Sequence, residues 1–107
     1  MSTFDKREEG FEKKYALDEE QKFKAEARRN RLLGLWAAEK LGVTGDAATA
    51  YAKKVVAADF EEAAHAGVLR KILGDLTAKG VAITEAQIRV KMDELMTTAV
   101  AQVKAGT

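Results

Sequence analysis

The stretch that decides the fold is residues 84–104, TEAQIRVKMDELMTTAVAQVK. Thr84 and Gln87 have the spacing of a capping box, in which each side chain bonds to the backbone amide of the other residue. Ile83 and Ile88 stand at the two positions of a hydrophobic staple around this cap. Apolar residues then recur at helical spacing: Ile88, Met92, Leu95, Met96, Ala99 and Val103. The pattern predicts an amphipathic helix over 85–104.

A shorter helix is predicted just upstream, over 68–79. Its apolar residues follow the i, i+3, i+4, i+7 pattern: Leu69, Ile72, Leu73 and Leu76. Gly80 comes next, where helices commonly end in a left-handed residue, and Val81 can contact Leu76 in a Schellman motif. The stretch 74–80 lacks the Gly-Lys-Ser/Thr order of a phosphate-binding loop, so we interpret it as a helix and its cap.

A third helix is predicted over 47–65, with Asp46 as its N-cap. Its inward-facing residues are expected to be Ala52, Val55, Val56, Phe60 and Ala63. The junction near 65–67 then reads only as a break between two helices.

The first long helix is predicted to end at Gly42, again with an apolar residue, Val43, directly after the glycine. Its helical pattern extends back past Ala25 towards Leu17. Trp36 is expected to be the largest single contribution to the core, because a buried aromatic side chain removes about 150–250 Å² from water.

Composition agrees with an all-α class. The 107 residues include no proline, and alanine is the commonest apolar residue. Four helices joined by short loops predict a compact antiparallel four-helix bundle over 18–107. The near balance of 18 Lys+Arg against 17 Asp+Glu argues against a generally basic nucleic-acid-binding protein. The sequence has no long uncharged apolar run, so we expect neither a membrane-spanning helix nor a signal peptide.

Residues 1–17, MSTFDKREEGFEKKYAL, have no broad apolar face. Phe4, Phe11 and Tyr15 nevertheless fall within roughly 40° of one another on a helical wheel. Gly10 interrupts this segment and costs about 1 kcal/mol of helix stability relative to alanine. Two interpretations stay open: a flexible arm that becomes helical in a partner's groove, or a disordered tail with accidental spacing.

The sequence carries no enzyme signature. Adjacent carboxylates occur at Glu8-Glu9, within 18–20 and at Glu61-Glu62, and neighbouring surface residues do not make a catalytic pair across a cleft. The single histidine, His65, has no serine or cysteine in a recognisable catalytic setting. With no cysteine and one histidine, cysteine-based and multi-histidine metal centres are excluded.

The densest cationic segment is Arg28-Arg29-Asn30-Arg31, close to Trp36. Guanidinium groups bind phosphates and carboxylates in bidentate fashion, so the segment is a candidate site for a nucleotide, a nucleic-acid backbone or an acidic protein surface. The simpler interpretation is a set of surface arginines paired with Glu26 and its neighbours along the helix. For nucleic acid we favour the simpler interpretation, because three arginines in a neutral domain leave a small electrostatic footprint.

Residues 23–37, FKAEARRNRLLGLWA, resemble the signature stretch of the zeta subunit family, small inhibitors of the alphaproteobacterial F-type ATP synthase. The segments 3–5 with 7–8, 14–18 and 58–62 are also similar to the family's pattern, so the resemblance covers nearly the whole chain. The stretch 63–67, AAHAG, departs from the more acidic sequence of relatives at the helix junction.

The resemblance implies a four-helix bundle with a mobile inhibitory arm over 1–17 and a non-enzymatic regulatory function. The arm is implied to enter a catalytic interface between α and β subunits near the γ stalk and to block rotation in the hydrolysis direction. On this basis Phe4, Phe11 and Tyr15 are expected to anchor the arm in apolar pockets. The residues expected to set its register by charge are Asp5, Arg7, Glu8 and Glu12.

Further expectations concern the location of the protein, its ligands and an alternative function. The protein is expected in the cytoplasm, peripheral to the inner membrane through the synthase, with no required cofactor and no nucleic-acid partner. Family members have also been associated with adenine nucleotides. An alternative function is therefore a sensor that binds ATP or ADP through Arg28, Asn30 and Arg31, with Trp36 beside them.

Overall fold

A computed structural model describes residues 17–59 and 66–106. This part of the chain forms four α-helices: α1 Glu19–Lys40, α2 Gly45–Ala58, α3 Ala66–Ala78 and α4 Glu85–Lys104. It contains no strand, so the all-α, four-helix prediction is confirmed. None of the helices described is both long and apolar enough to cross a membrane.

Local capping signals position both long helices. Thr84 accepts a hydrogen bond from the Gln87 amide at 3.2 Å, and Gln87 Oε1 accepts one from the Thr84 amide at 2.8 Å. This capping box starts α4 at Glu85, and the predicted bounds of 85–104 are confirmed. Asp18 and Gln21 form an equivalent box before α1, which the sequence analysis did not anticipate.

Two glycines end helices as predicted. Gly42 has φ +75° and Gly80 has φ +88°, the left-handed conformation that glycine adopts without a Cβ clash. The Val43 amide donates to the Ala38 carbonyl and the Val81 amide to the Leu76 carbonyl, each at 2.9 Å. These are the six-to-one hydrogen bonds of Schellman motifs.

The prediction for α2 was wrong at its start. Thr44, in extended conformation, is the N-cap, and Asp46 lies in the first turn. An aspartate there still stabilises the helix, because its charge complements the positive end of the helix dipole. The α2 helix ends at Ala58, and Phe60 and Ala63 lie outside the described residues. The α3 helix begins at Ala66, two residues before its predicted start.

The main hydrophobic cluster draws on all four helices. Its buried members are Leu33, Ala37, Val55, Val68, Leu69, Ile72, Leu76, Ile88 and Met92. Trp36 is partly buried and packs against the edge of this cluster, and its predicted place as the largest single contribution to the core stays a prediction. Its ring instead contacts two ammonium groups, with Lys40 Nζ at 5.0 Å and Lys91 Nζ at 6.0 Å from its centroid. Both distances lie within the range of cation–π attraction.

A second cluster lies where α1 and α4 pack together, and among the described residues neither α2 nor α3 contributes to it. It consists of Leu17, Ala25, Met96, Ala99 and Val100, with Val103 packed against it. Since α1 has 22 residues and α2 only 14, the α1–α4 pair extends beyond the described part of α2 at this end.

A polar contact joins α2 to α3. The Tyr51 hydroxyl donates to Asp75 Oδ2 at 2.7 Å, and Lys71 Nζ donates to the same oxygen at 3.0 Å. Burial of the phenol, reinforced by its hydrogen bond to Asp75, raises the pKa of Tyr51 above its usual value. Tyr51 therefore stays a hydrogen-bond donor at neutral pH.

Candidate functional site

The residues expected to contact a partner from the arm lie outside the described residues: Phe4, Asp5, Arg7, Glu8, Phe11, Glu12 and Tyr15. Their role therefore stays a prediction. What the structure does describe is where the arm joins the body. Leu17, with which the predicted arm ends, is buried in the second cluster.

Asp18 fixes the direction in which the chain enters α1. Its carboxylate accepts a hydrogen bond from the Gln21 amide at 2.7 Å, and its own amide donates to Gln21 Oε1 at 3.3 Å. The backbone of Asp18 is extended, with φ −79° and ψ 174°, so α1 does not continue through this residue. The buried Leu17 and this cap together make a defined attachment point for the sixteen residues before it.

Phe23 is an exposed aromatic residue that the sequence pattern did not identify as lying on the surface. Its side chain is 59% exposed, although helical spacing puts it on the same face of α1 as Asn30 and Gly34, which are buried. The α2 helix covers that face around Gly34 and ends six residues beyond Ala52. At 1.5 Å per residue this is about 9 Å, and Phe23 lies about 16 Å from Gly34 along α1. The described part of α2 therefore stops short of Phe23.

Gly34, in the middle of the signature stretch, allows α1 and α2 to approach closely. A Cβ at this position would lie 2.7 Å from the Ala52 Cα, 3.1 Å from the Ala52 Cβ and 3.3 Å from the Val55 Cβ. The first of these contacts is with backbone, which no side-chain rotation can relieve. Part of the signature stretch is thus explained by packing alone.

We expect Gly34→Ala to lower the free energy of unfolding by about 1–2 kcal/mol, because overpacking outweighs the gain in helix propensity. Gly74→Ala in α3 is the matched control, since nothing lies within 4 Å of the position of its Cβ. There the propensity gain is unopposed, and stability should rise by about 0.5–1 kcal/mol. Urea unfolding of the two variants measures both effects. Equal shifts of the same sign would contradict the close α1–α2 contact.

Arg29 and Asn30 form a buried polar pair between the two hydrophobic clusters. Arg29 is 6% exposed and Asn30 is 1% exposed. Asn30 Oδ1 accepts from Arg29 Nε at 3.1 Å and from Arg29 Nη2 at 2.9 Å. Burial lowers the pKa of Arg29, an effect opposed by the carboxylates of Asp59, Glu26 and Asp93. The guanidinium stays charged, since arginine does not deprotonate in proteins at neutral pH.

The amide nitrogen of Asn30 is buried and has no hydrogen-bond acceptor in the structure as described. Its oxygen accepts both hydrogen bonds from Arg29. The charged guanidinium therefore orients the Asn30 side chain through the oxygen alone. Asn30 therefore functions within the body as the acceptor that holds a buried cation.

Asn30 does not share an accessible surface with the other candidate nucleotide residues. Arg28 Nη1 donates to Gln102 Oε1 of α4 at 3.4 Å, Arg31 is exposed, and Asn30 is buried on the opposite side of α1. Trp36 lies at the edge of the main cluster. Binding of ATP or ADP stays a prediction, and such a site would have to form without Asn30 unless the body opened.

The acidic residues at the start of α1 are solvated, as expected for adjacent surface carboxylates that do not form a catalytic pair. Glu19 and Glu20 are both exposed, and Glu20 forms an exposed ion pair with Lys24 at 3.0 Å. Within residues 17–59 and 66–106, no three acidic or histidine side chains cluster in a way that could hold a metal ion.

The fold and the attachment point define a small four-helix bundle protein that carries an N-terminal extension. Comparison with protein families is more specific. The model for the ATPase inhibitor subunit zeta matches residues 1–102, and the chain belongs to this family. Membership supports an inhibitory, regulatory role and implies ATP synthase as the partner.

One solved structure is similar over most of its length. It is a solution NMR structure with 56% sequence identity and a TM-score of 0.69, and the similarity covers 79% of this chain and 96% of that one. A comparison with curated proteins found no match.

Proposed function

We propose that this chain inhibits ATP hydrolysis by the F-type ATP synthase by placing its N-terminal segment in a catalytic interface between an α and a β subunit. The observation that carries the proposal is that the family pattern begins at residue 1 and includes the whole segment. An accidental tail has no reason to share the pattern of the folded body. The family match therefore favours the first of the two interpretations of residues 1–17.

The attachment of the N-terminal segment to the body at Leu17 supports this mechanism. The segment before Leu17 has sixteen residues, which as a helix would be about 24 Å long. A partner groove would supply the apolar surroundings for Phe4, Phe11 and Tyr15 that the segment lacks in its own sequence. The folded body keeps the segment at a high effective concentration once either part has bound.

Inhibition of this kind needs no chemistry from the inhibitor. A rotary ATPase passes through several conformations in each cycle, and a ligand that binds one of them far better than the next stops the cycle there. The body would stay outside the enzyme, in the cytoplasm and peripheral to the inner membrane. We expect no cofactor to be required.

The experiment is an ATP hydrolysis assay on the purified synthase of the parent species, with the full chain added at increasing concentration. Hydrolysis should fall to a plateau, and the inhibitor should co-migrate with the synthase in size-exclusion chromatography. Unchanged hydrolysis at a concentration where the two co-migrate would contradict inhibition. Absence of co-migration at every concentration would contradict the partner.

A further inference from the structure

One side of the α1–α4 pair carries cations around an aromatic centre. Arg28, Leu32, Trp36 and Lys40 are spaced four residues apart on α1, so they form a continuous row about 18 Å long. The row borders α4, because Arg28 contacts Gln102 and the Trp36 ring contacts Lys91. We call these four residues together with Lys91 the basic seam.

The charges of the basic seam surround Trp36. The ammonium groups of Lys40 and Lys91 lie 5.0 and 6.0 Å from its ring centroid. Glu94 contacts Lys91 at 3.4 Å, but the Glu94 side chain is 60% exposed, so this ion pair is solvated and weak. Lys40 is exposed at the end of α1. The seam therefore presents a partly buried aromatic ring flanked by the exposed Lys40 on α1 and by Lys91 on α4, whose side chain is 31% exposed.

This combination is typical of a protein interface. Tryptophan and arginine are enriched at the centres of interfaces, where an aromatic ring supplies area and neighbouring charges select the partner. Positive charge around such a centre is complementary to carboxylates around an apolar contact. A nucleic acid would need a wider basic surface than a chain of net charge +1 provides.

We propose that the basic seam is the surface by which the folded body docks on an acidic protein surface. The inference rests on the proposed function, which identifies that surface as part of the catalytic head of the synthase. The arm and the seam then make two separate contacts with one enzyme. The second contact would raise the affinity of the first by keeping the arm close to its groove.

The test is lysine footprinting on the full chain. The chain is acetylated briefly, alone and in complex with the purified catalytic head, and the modification of each lysine is measured by mass spectrometry. Lys40 and Lys91 should be modified several-fold more slowly in the complex. Lys53 and Lys54, which are exposed on α2 away from the seam, should be modified at the same rate in both samples.

Charge reversal gives an independent readout. The double variant Lys40→Glu/Lys91→Glu should raise the Kd for the catalytic head about tenfold and steeply reduce the salt dependence of binding. The control variant Lys53→Glu/Lys54→Glu has the same net charge and should bind like the natural chain. Thermal unfolding of both variants establishes that each body is folded.

The outcomes separate this inference from the proposed function. If the full chain inhibits but Lys40 and Lys91 are not protected and their reversal changes nothing, the seam is not a docking surface and the proposed function stands. If the two double variants lose affinity equally, the loss comes from the change in net charge, and the proposal that the seam is a docking surface is overturned. If the full chain neither binds nor inhibits, both proposals fail together.

Discussion

Removal of residues 1–16 is expected to abolish inhibition of ATP hydrolysis while leaving the body folded. An interface anchor costs about 2 kcal/mol or more when removed, which is roughly a 30-fold loss of affinity, and this deletion removes three predicted anchors together. The measurement is ATP hydrolysis by the purified synthase with the full and the truncated chain. Equal inhibition by the two would place the inhibitory contact in the body.

The position of the truncation matters. Leu17 is buried in the second cluster and Asp18 caps α1, so a deletion that included them would also damage the body. Loss of an N-cap alone costs about 1 kcal/mol. Circular dichroism and thermal unfolding of the chain beginning at Leu17 should match those of the full body. The triple variant Phe4→Ala/Phe11→Ala/Tyr15→Ala, which keeps the full length, should lose inhibition to nearly the same extent.

Asn30→Ala is expected to be strongly destabilising. It removes both hydrogen bonds from Arg29 and leaves a buried guanidinium without its acceptor. Hydrogen bonds to charged groups contribute about 1.5–3 kcal/mol each, and this substitution removes two of them together. The carboxylates of Asp59, Glu26 and Asp93 offset part of the loss, so we expect about 2–4 kcal/mol. In a domain of this size that lowers the melting temperature by roughly 10–20 °C.

Two controls make the Asn30 result specific. Asn30→Asp retains oxygen acceptors for Arg29 and should retain much more stability than Asn30→Ala. Arg31→Ala removes an exposed side chain next in sequence and should change stability by less than about 0.5 kcal/mol. A loss for Asn30→Ala no greater than that for Arg31→Ala would show that the buried pair is not stabilising.

The sequence alone predicted the bounds of those helices whose starts and ends are set by neighbouring residues. The α4 helix was predicted to the residue, because its cap and its apolar stripe agree. The ends of α1 and α3 followed from glycines that must adopt positive φ. The end of α2 could not be predicted in this way, since residues 57–66, AADFEEAAHA, contain neither glycine nor proline and continue a helical pattern.

How deeply a side chain is buried was harder to predict than the face of the helix on which it lies. Periodicity gave the inward side of α1 but not how far Trp36 is covered, which depends on the lysines of two helices. Asn30 looked like a surface residue because arginines flank it. Its spacing of three and seven residues from Leu33 and Ala37 was the signal that it shares their buried face. For residues 1–17, only the resemblance to a family connects an aromatic stripe to an enzyme.

The cluster around Leu17 fixes the point at which the body begins. Within residues 17–59 and 66–106, the cluster that holds Leu17 contains two alanines and no aromatic residue, and its helical members lie on α1 and α4. Regions with so little apolar contact open at lower free energy than the rest of a fold. Each residue released from that end would add about 3.3 Å to the length of chain that precedes the body. Under the proposed function, opening of this cluster would lengthen the connection between the body and the inhibitory segment. Substitutions at the buried Ala25 or Ala99 would then change the reach of that segment without altering an exposed surface.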